Sequence, residues 1–344
     1  MKKTILTGAS LLALAMAGPA FAQSTSTVDQ TGNGNGATVT QENANSSEIE
    51  QVGDNNAATV SQTGTGVTGN ESDIDQVATG SNTATVTQGA GTSGSFADVT
   101  QDGTSDGNNG VVNQFSAIGS TSEIFQTNSI AGFAELNQGG GSGNAAVAIQ
   151  GDTTVVGGTV VTGESSDSIV SQGGDNNFAL TAQGGLDQTS NLSQNGNGNF
   201  AQVTQGTASG QDSIAFVQQL GDNGIVEVAQ NSTLNDAFIL QVSGDGNQAF
   251  VDQGFFAGGD SNEAEILQGG DGNFSGIEQN ALTAGGTNMA TSEQLGNNNT
   301  SFITQEGTGN IAEVLQFQDG NSSTVTQSGT GNTANVSQGT PPAP

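Results

Sequence analysis

The amino-acid sequence predicts an all-β chain folded as a β-solenoid of about 13 two-stranded coils, strand–turn–strand–turn, with a repeat of about 22 residues. Three observations predict it. Glutamine recurs in a fixed context, Asn-x-Ala-x-Val-x-Gln, from Gln30 to Gln338. Within each such arm, small, aliphatic and amide residues alternate with polar or charged ones, which is the period of a strand. Between arms lie Gly- and Asn-rich tetrapeptides, which supply the positive φ of tight turns.

The first element is a leader. The chain has 344 residues, 54 of them Gly, with no Cys, His, Trp or Tyr, and 33 Asp and Glu against 2 Lys and Arg, a formal net charge of −31. Both cations, Lys2 and Lys3, precede an uncharged apolar run from Ile5 to Ala17, then Gly18, Pro19 and Ala20-Phe21-Ala22. A basic start, a short apolar run and an A-x-A site read as a secretory signal peptide over residues 1–22. The run is too short to span a bilayer, and no membrane span is expected elsewhere. Cleavage after Ala22 removes two positive charges from −31 and leaves −33, with no Lys, Arg or His side chain. That excludes cationic contact with nucleic-acid phosphates, a P-loop lysine, catalytic His or Cys, and the N and S ligands of zinc. An exported chain without Cys has no disulfide to hold it. No enzyme activity, cofactor or metal is therefore assigned, and stability must come from backbone pairing and packing. Charge and hydrophobicity alone class the chain as disordered; the order of its residues reverses that reading.

The repeats occupy residues 23–339, and 340–344 form a short Pro-rich tail. The main form spans Asn35–Gln41, Asn56–Gln62, Asn82–Gln88, Asn199–Gln205, Asn310–Gln316 and Asn332–Gln338. A sister form with Ser for Ala spans Asn45–Gln51, Asn70–Gln76 and Asn321–Gln327. There are 26 arms ending in Gln, most of them 10 to 15 residues apart, with 11 the commonest spacing. Ser and Ala forms alternate near both ends, so the unit has two arms; between about Ala97 and Ala264 the alternation blurs. The one long gap, Gln150 to Gln172, equals two ordinary steps, and a degenerate arm, Gly157-x-Thr159-x-Val161-x-Gly163, is expected to fill it. At about 4.8 Å between paired strands, the coils span roughly 60 Å.

The alternation predicts an inward face of Asn, Ala or Ser, Val or Ile, and Gln. All 33 carboxylates avoid it. Eighteen lie at intervening positions such as Asp29, Glu48, Asp73 and Asp75, and fifteen in turns such as Asp54, Asp175 and Asp271. A buried unpaired carboxylate is very costly, so a packed interior demands this partition. Of the fourteen Phe beyond the leader, ten take outward positions and four lie in turns, as if the interior were too thin for a ring. Phe178 with Phe200, and Phe216 with Phe238, hold one motif position two arms apart and are expected to stack on adjacent coils, either as cross-strand stabilisation or as lateral contacts.

The inward amides need partners. Each is expected to donate to the carbonyl of its counterpart one coil away, giving a ladder along the axis that also fixes register. Its members are Asn35, Gln41, Gln51, Asn56, Gln62, Asn82, Gln88, Asn199, Gln205, Asn310, Gln316, Gln327, Asn332 and Gln338.

Ser-x5-Gln followed by Gly-x-Gly-Asn-x-Ala-x-Val-x-Gln resembles the curlin repeat. It is carried by Ser24, Gln30, Gly32, Gly34, Asn35, Ala37 and Gln41, and again from Asn321 to Gln338. The likeness covers residues 23–339. It implies a subunit of curli-like fibres, the secreted amyloid of bacterial biofilms, which becomes cross-β on polymerisation. It also implies export through the periplasm, a place in an extracellular cell-surface fibre, the chain itself as chief partner, and a nucleator subunit and an outer-membrane export pore as further ones. The chain departs from the pattern in having more repeats, no Tyr, no basic residue among the repeats and no distinct segment between leader and repeats.

A solenoid without caps ends in open β-edges. The first coil, Ser24–Gln41, and the last, Asn321–Gln338, are therefore expected to template further copies. One end would act through Ser24, Gln30, Asn35 and Gln41, the other through Asn321, Gln327, Asn332 and Gln338. Such head-to-tail contact does not close and yields a filament. Carboxylate repulsion opposes it, so low pH or Ca²⁺ is expected to speed assembly. Other readings stay open. One is a nucleator subunit. Another is a soluble surface-binding solenoid, adhesin or ice-binding in type, from outward pairs at Thr38/Thr40, Thr85/Thr87 and Thr324/Thr326 that read as scattered along the chain. A third is a Ca²⁺-binding repeat, suggested by Gly269-Gly270-Asp271-Gly272-Asn273, although its Asp is irregular. Outward acidic neighbours such as Glu263 and Glu265 imply no cleft.

Overall fold

The computed structural model describes residues 13–14 and 24–340, apart from 65, 79, 104, 152–164, 207–211, 255–260 and 281–285. The described residues contain strands and turns and no helix. Successive arms alternate between two parallel sheets. Sheet I opens with Thr25–Thr31 and closes with Ser322–Thr330; sheet II opens with Gly36–Gln41 and closes with Thr333–Gln338. Each arm pairs with the arms two before and two after it, so the n-th strands of the two sheets make coil n, and there are thirteen coils among the described residues. Pairing is in register throughout: Gln30, Gln51 and Gln76 stand in one column and Gln41, Gln62 and Gln88 in the other. A two-residue strand, Ala13–Leu14, runs beside Thr38 and Val39 beyond the first coil. The remainder of the expected leader, like the end of the Pro-rich tail, lies outside the described residues.

The coil is longer than its sequence estimate. Between Gln30 and Gln327 the twelve coil-to-coil steps average about 25 residues, because strands keep their length while turns do not. The shortest step is 21 residues, Gln30 to Gln51, and sheet I's longest is 33, Gln150 to Gln183. The degenerate arm expected at 157–163 lies outside the described residues, and the register leaves no rung for it. Gln150 stands in sheet I and Gln172 in sheet II, with Gln138 opposite Gln172 and Gln150 opposite Gln183. An extra arm would put Gln150 and Gln172 in one sheet. The arms ending at Gln150 and Gln172 are thus consecutive in the sheet order of the described residues. In the region where the alternation blurs, sheet I carries Ala97, Ser122 and Ala146, and sheet II carries Gly110, Ala134 and Ser168. Ser and Ala exchange there because either fits the same slot.

The inward rows of both sheets meet in a thin core. Val60, Ile74, Leu136, Leu192 and Ile239 are fully buried. Among the described residues no carboxylate and no Phe is buried, as the partition requires. Gly110 takes an inward Ala/Ser position because a Cβ there would sit 2.7 Å from Val99 Cγ1. In the turns, Gly196 (φ +141) lies against the Gly221 carbonyl of the next coil, where any Cβ would overlap it.

Candidate functional site: two amide ladders and the ends they leave

The inward Gln side chains form two unbroken ladders. In sheet I, Nε2 donates to Oε1 of the next coil twelve times from Gln30 to Gln327, at 2.6 to 3.1 Å. In sheet II the same bond runs twelve times from Gln41 to Gln338. Gln51, Gln62, Gln88, Gln205 and Gln316 are fully buried, and Gln327 nearly so. Gln41 is half-buried at the end of its ladder.

Every one of these bonds points the same way, and a second contact sets that direction. The other Nε2 hydrogen crosses to a backbone carbonyl of the opposite sheet: Gln62 to Ser46 O at 3.1 Å, Gln205 to Thr189 O at 2.9 Å, Gln316 to Thr300 O at 3.0 Å. A flipped amide would press Oε1 against that carbonyl oxygen, two acceptors with no proton between them. Each Gln therefore joins two coils and two sheets, and the ladder is polar from the N-terminal to the C-terminal end.

Asn behaves differently from the expected amide-to-amide ladder. Its Oδ1 accepts the backbone N–H of the residue one coil on: Asn35 from Asn56 at 2.9 Å, Asn56 from Asn82 at 3.1 Å, Asn310 from Asn332 at 3.1 Å. Its Nδ2 donates to a turn carbonyl one coil on, Asn35 to Gly53 O and Asn199 to Gly221 O, both at 2.8 Å. The short Asn side chain starts beside the turn, where backbone groups rather than a second amide lie in reach. Among these columns a side-chain pair occurs between Asn332 Nδ2 and Asn310 Oδ1, at 3.0 Å.

Sequence reasoning assigned the turn carboxylates no role beyond avoiding the inner face, and several have one. Asp54 Oδ1 accepts the Asn33 N–H at 2.8 Å, Asp222 that of Asn197 at 2.7 Å and Asp319 that of Asn297 at 2.8 Å. In the Gly269–Asn273 segment, Asp271 Oδ1 accepts the Asp245 N–H at 3.0 Å, so this carboxylate serves the neighbouring coil's backbone. The signal was the recurrence of Asp or Asn as second residue of Gly-led turns.

At the C-terminal end the core is unsealed among the described residues; at the N-terminal end Ala13–Leu14, part of the expected leader, pairs along Thr38 and Val39 of sheet II, while the edge of Thr25–Thr31 in sheet I carries no further described strand. Ala312 and Val314 are buried in coil 12, whereas Ala334 and Val336 of coil 13 and Val28 of coil 1 are only partly buried. The C-terminal end presents one unengaged Nε2 hydrogen each on Gln327 and Gln338, whose other hydrogens bind Ile311 O and Ser322 O. It also presents the Asn321 and Asn332 Oδ1 atoms. The N-terminal end presents Gln30 and Gln41 Oε1, which meet no donor among the described residues, and the Asn35 N–H. Ser24 instead uses its hydroxyl within the molecule, on the Asn43 carbonyl. Donors at one end thus answer acceptors at the other.

The outer faces are segregated. On sheet I, Glu48, Asp73, Asp98 and Glu123 stand in one column and Glu50 beside Asp75 in another. Burial pushes Asp75 up to about 6, aided by Glu50, Asp73 and Asp102. Burial likewise pushes Asp98 up to about 6, with Asp73 adding to it. Burial raises Asp73 too, with Glu48 next. Phe178 stacks on Phe200 with centroids 5.2 Å apart, and Phe216 on Phe238 at 5.0 Å, as expected. The Thr-x-Thr pairs are less scattered than they read: Thr38, Thr59 and Thr85 form one row and Thr40, Ser61 and Thr87 another, on three consecutive coils of sheet II. Ser in place of Thr at position 61, and uneven turn lengths, hid the array. Thr324 stands opposite Phe302 and extends no such row.

No family model matches the chain, and no curated protein matches it. No helix among the described residues is long and apolar enough to cross a membrane.

Proposed function

We propose that this protein is a secreted structural subunit that polymerises end to end into extracellular, curli-like amyloid fibres serving a biofilm matrix and surface attachment. The observation that carries the reading is the polarity of the Gln ladders. Two unbroken files of donors and acceptors run the length of the molecule and end with N–H groups at one face and oxygens at the other. A second copy placed head to tail would continue both files and both sheets. Such contact does not close on itself and gives a filament with strands perpendicular to its axis. The export pore and a nucleator subunit belong to the same reading through the repeat's likeness to curlins.

The test is purification of residues 23–344 under denaturant, followed by dilution into buffer. Thioflavin fluorescence should rise, and aligned fibres should give a meridional reflection at about 4.8 Å. A lasting monomer at high concentration would count against the reading. One observation favours a second reading: the Thr/Ser array on coils 1 to 3 is the kind of flat hydroxyl surface a soluble solenoid offers to ordered water. Inhibition of ice recrystallisation by the monomer, lost in Thr59→Lys, would support that alternative.

A further inference from the structure

We infer that filaments of this protein associate laterally, with a second filament of the same chain as partner, through a charge-free band on the outer face of sheet I, and that the two filaments run antiparallel. The inference rests on the end-to-end polymerisation proposed above.

Along sheet I the carboxylates are not evenly spread. Coils 2 to 4 carry Glu48, Glu50, Glu71, Asp73, Asp75 and Asp98 on the outer face. Coils 6 to 8 carry none at any of their outward positions. Those positions hold Val147, Ile149, Phe178, Leu180 and Phe200, all half-buried, with Gln202 and Thr204 at the margin. Among the described residues this is the one stretch of sheet I where three consecutive coils offer an uncharged, largely apolar surface, and it is centred on coil 7 of thirteen. Sheet II lacks an equivalent: Glu135 and Asp167 stand in its coils 5 and 6, and its uncharged coils 1 to 3 are covered with hydroxyls.

Size decides when the band can act. Three coils of 4.8 Å by a strand of roughly 20 Å give about 300 Å² per copy. The pair would bury about 600 Å², half of the roughly 1,200 Å² at which stable interfaces begin. Monomers therefore do not pair. In a filament the band recurs once per subunit, about every 60 Å, and many weak contacts act together.

Charge decides the direction. Parallel filaments in register set the carboxylates of coils 2 to 5 against those of the same coils, in a chain with no cation beyond the leader. A twofold axis through coil 7 instead sets coil 2 against coil 12, so that Glu48 and Glu50 face Thr300, Phe302 and Thr304, with one acid, Glu306, at the far end of that strand. The acids of coil 3 then lie over Phe274, Gly276 and Glu278. Asp252 and Glu227 leave one opposed acid in each of coils 10 and 9, so repulsion is reduced to a few pairs rather than abolished.

The experiment compares filament width by negative-stain microscopy and elongation rate for wild type, Leu180→Glu and, as control, Thr59→Glu on sheet II. Wild type and Thr59→Glu should give paired filaments, and Leu180→Glu single ones that elongate within about twofold of the wild-type rate. Paired Leu180→Glu filaments, or single wild-type ones, would overturn the inference while leaving polymerisation intact. Absence of any wild-type filament would overturn both. Because the chain has no Cys, direction is read with a short bis-maleimide. Co-assembled Glu48→Cys and Thr304→Cys subunits should cross-link between filaments; cross-links within Glu48→Cys alone would mean parallel pairing.

Discussion

A single glutamine carries several of the molecule's constraints at once. Gln88 accepts from Gln62 at 2.6 Å and donates to Gln114 at 2.8 Å, with weaker contacts to the Ser95 and Glu71 carbonyls. Gln88→Ala should cost about 3 kcal/mol, from a small cavity and a stranded amide on each side. Gln88→Glu should cost more at neutral pH, since a carboxylate can accept from Gln62 but has nothing to donate to Gln114 and is buried as a charge. Urea unfolding of residues 23–344 measures both; equal losses would contradict the ladder's direction. The carboxylates of sheet I respond to pH with a definite sign. Asp75 and Asp98 are raised in the folded state to about 6, chiefly by burial, so the native state holds their protons more tightly than the unfolded chain does. Stability therefore rises as pH falls from about 7 towards 4 and levels off below the unfolded value. Asp75→Asn with Asp98→Asn should raise the urea midpoint at pH 7 and flatten its dependence on pH. This side of the molecule was legible in the sequence, because the acids mark the outer face and the amides the inner one.

At the scale of the arm, the inward Ala/Ser row shows what the repeat tolerates. Ser275, Ser301 and Ser323 are buried in coils 11 to 13 of sheet I, and their hydroxyls find no partner. Sheet II has Ala290, Ala312 and Ala334 in the matching row. Ser301→Ala should therefore stabilise the fold by about 1 kcal/mol, read from the thermal or urea midpoint; a loss of that size would mean the hydroxyl is engaged. The strands and their inward faces were legible because period two repeats in every arm. The connections were less so. Spacing statistics favoured a rung across 157–163, although parity already opposed it: Ser26 and Ser275 both belong to odd-numbered arms only if nothing is inserted between Gln150 and Gln172. The bonds of Asn and of turn Asp were not legible, because they join a side chain to a backbone group one coil away. Naming that group requires the length of every intervening turn. The Thr/Ser array was missed for the same reason, since its rows lie 21 and 26 residues apart.

At the scale of the molecule, what matters is that the ladders have direction and stop, once the expected leader with Ala13–Leu14 is removed, at faces that no other described strand covers. A polar rod grows differently from its two ends. Subunits that keep a normal N-terminal face but lack donors at the other should add to a filament and then block it. The double variant Gln327→Glu, Gln338→Glu is such a subunit: each carboxylate still accepts from Gln305 or Gln316 inside its own molecule and offers no N–H to the next copy. The direct measurement is growth from wild-type seeds watched by fluorescence microscopy, with this variant added to wild-type monomer at increasing ratio. The account predicts that elongation stalls at one end of each seed and continues at the other. Unchanged growth at both ends would contradict it.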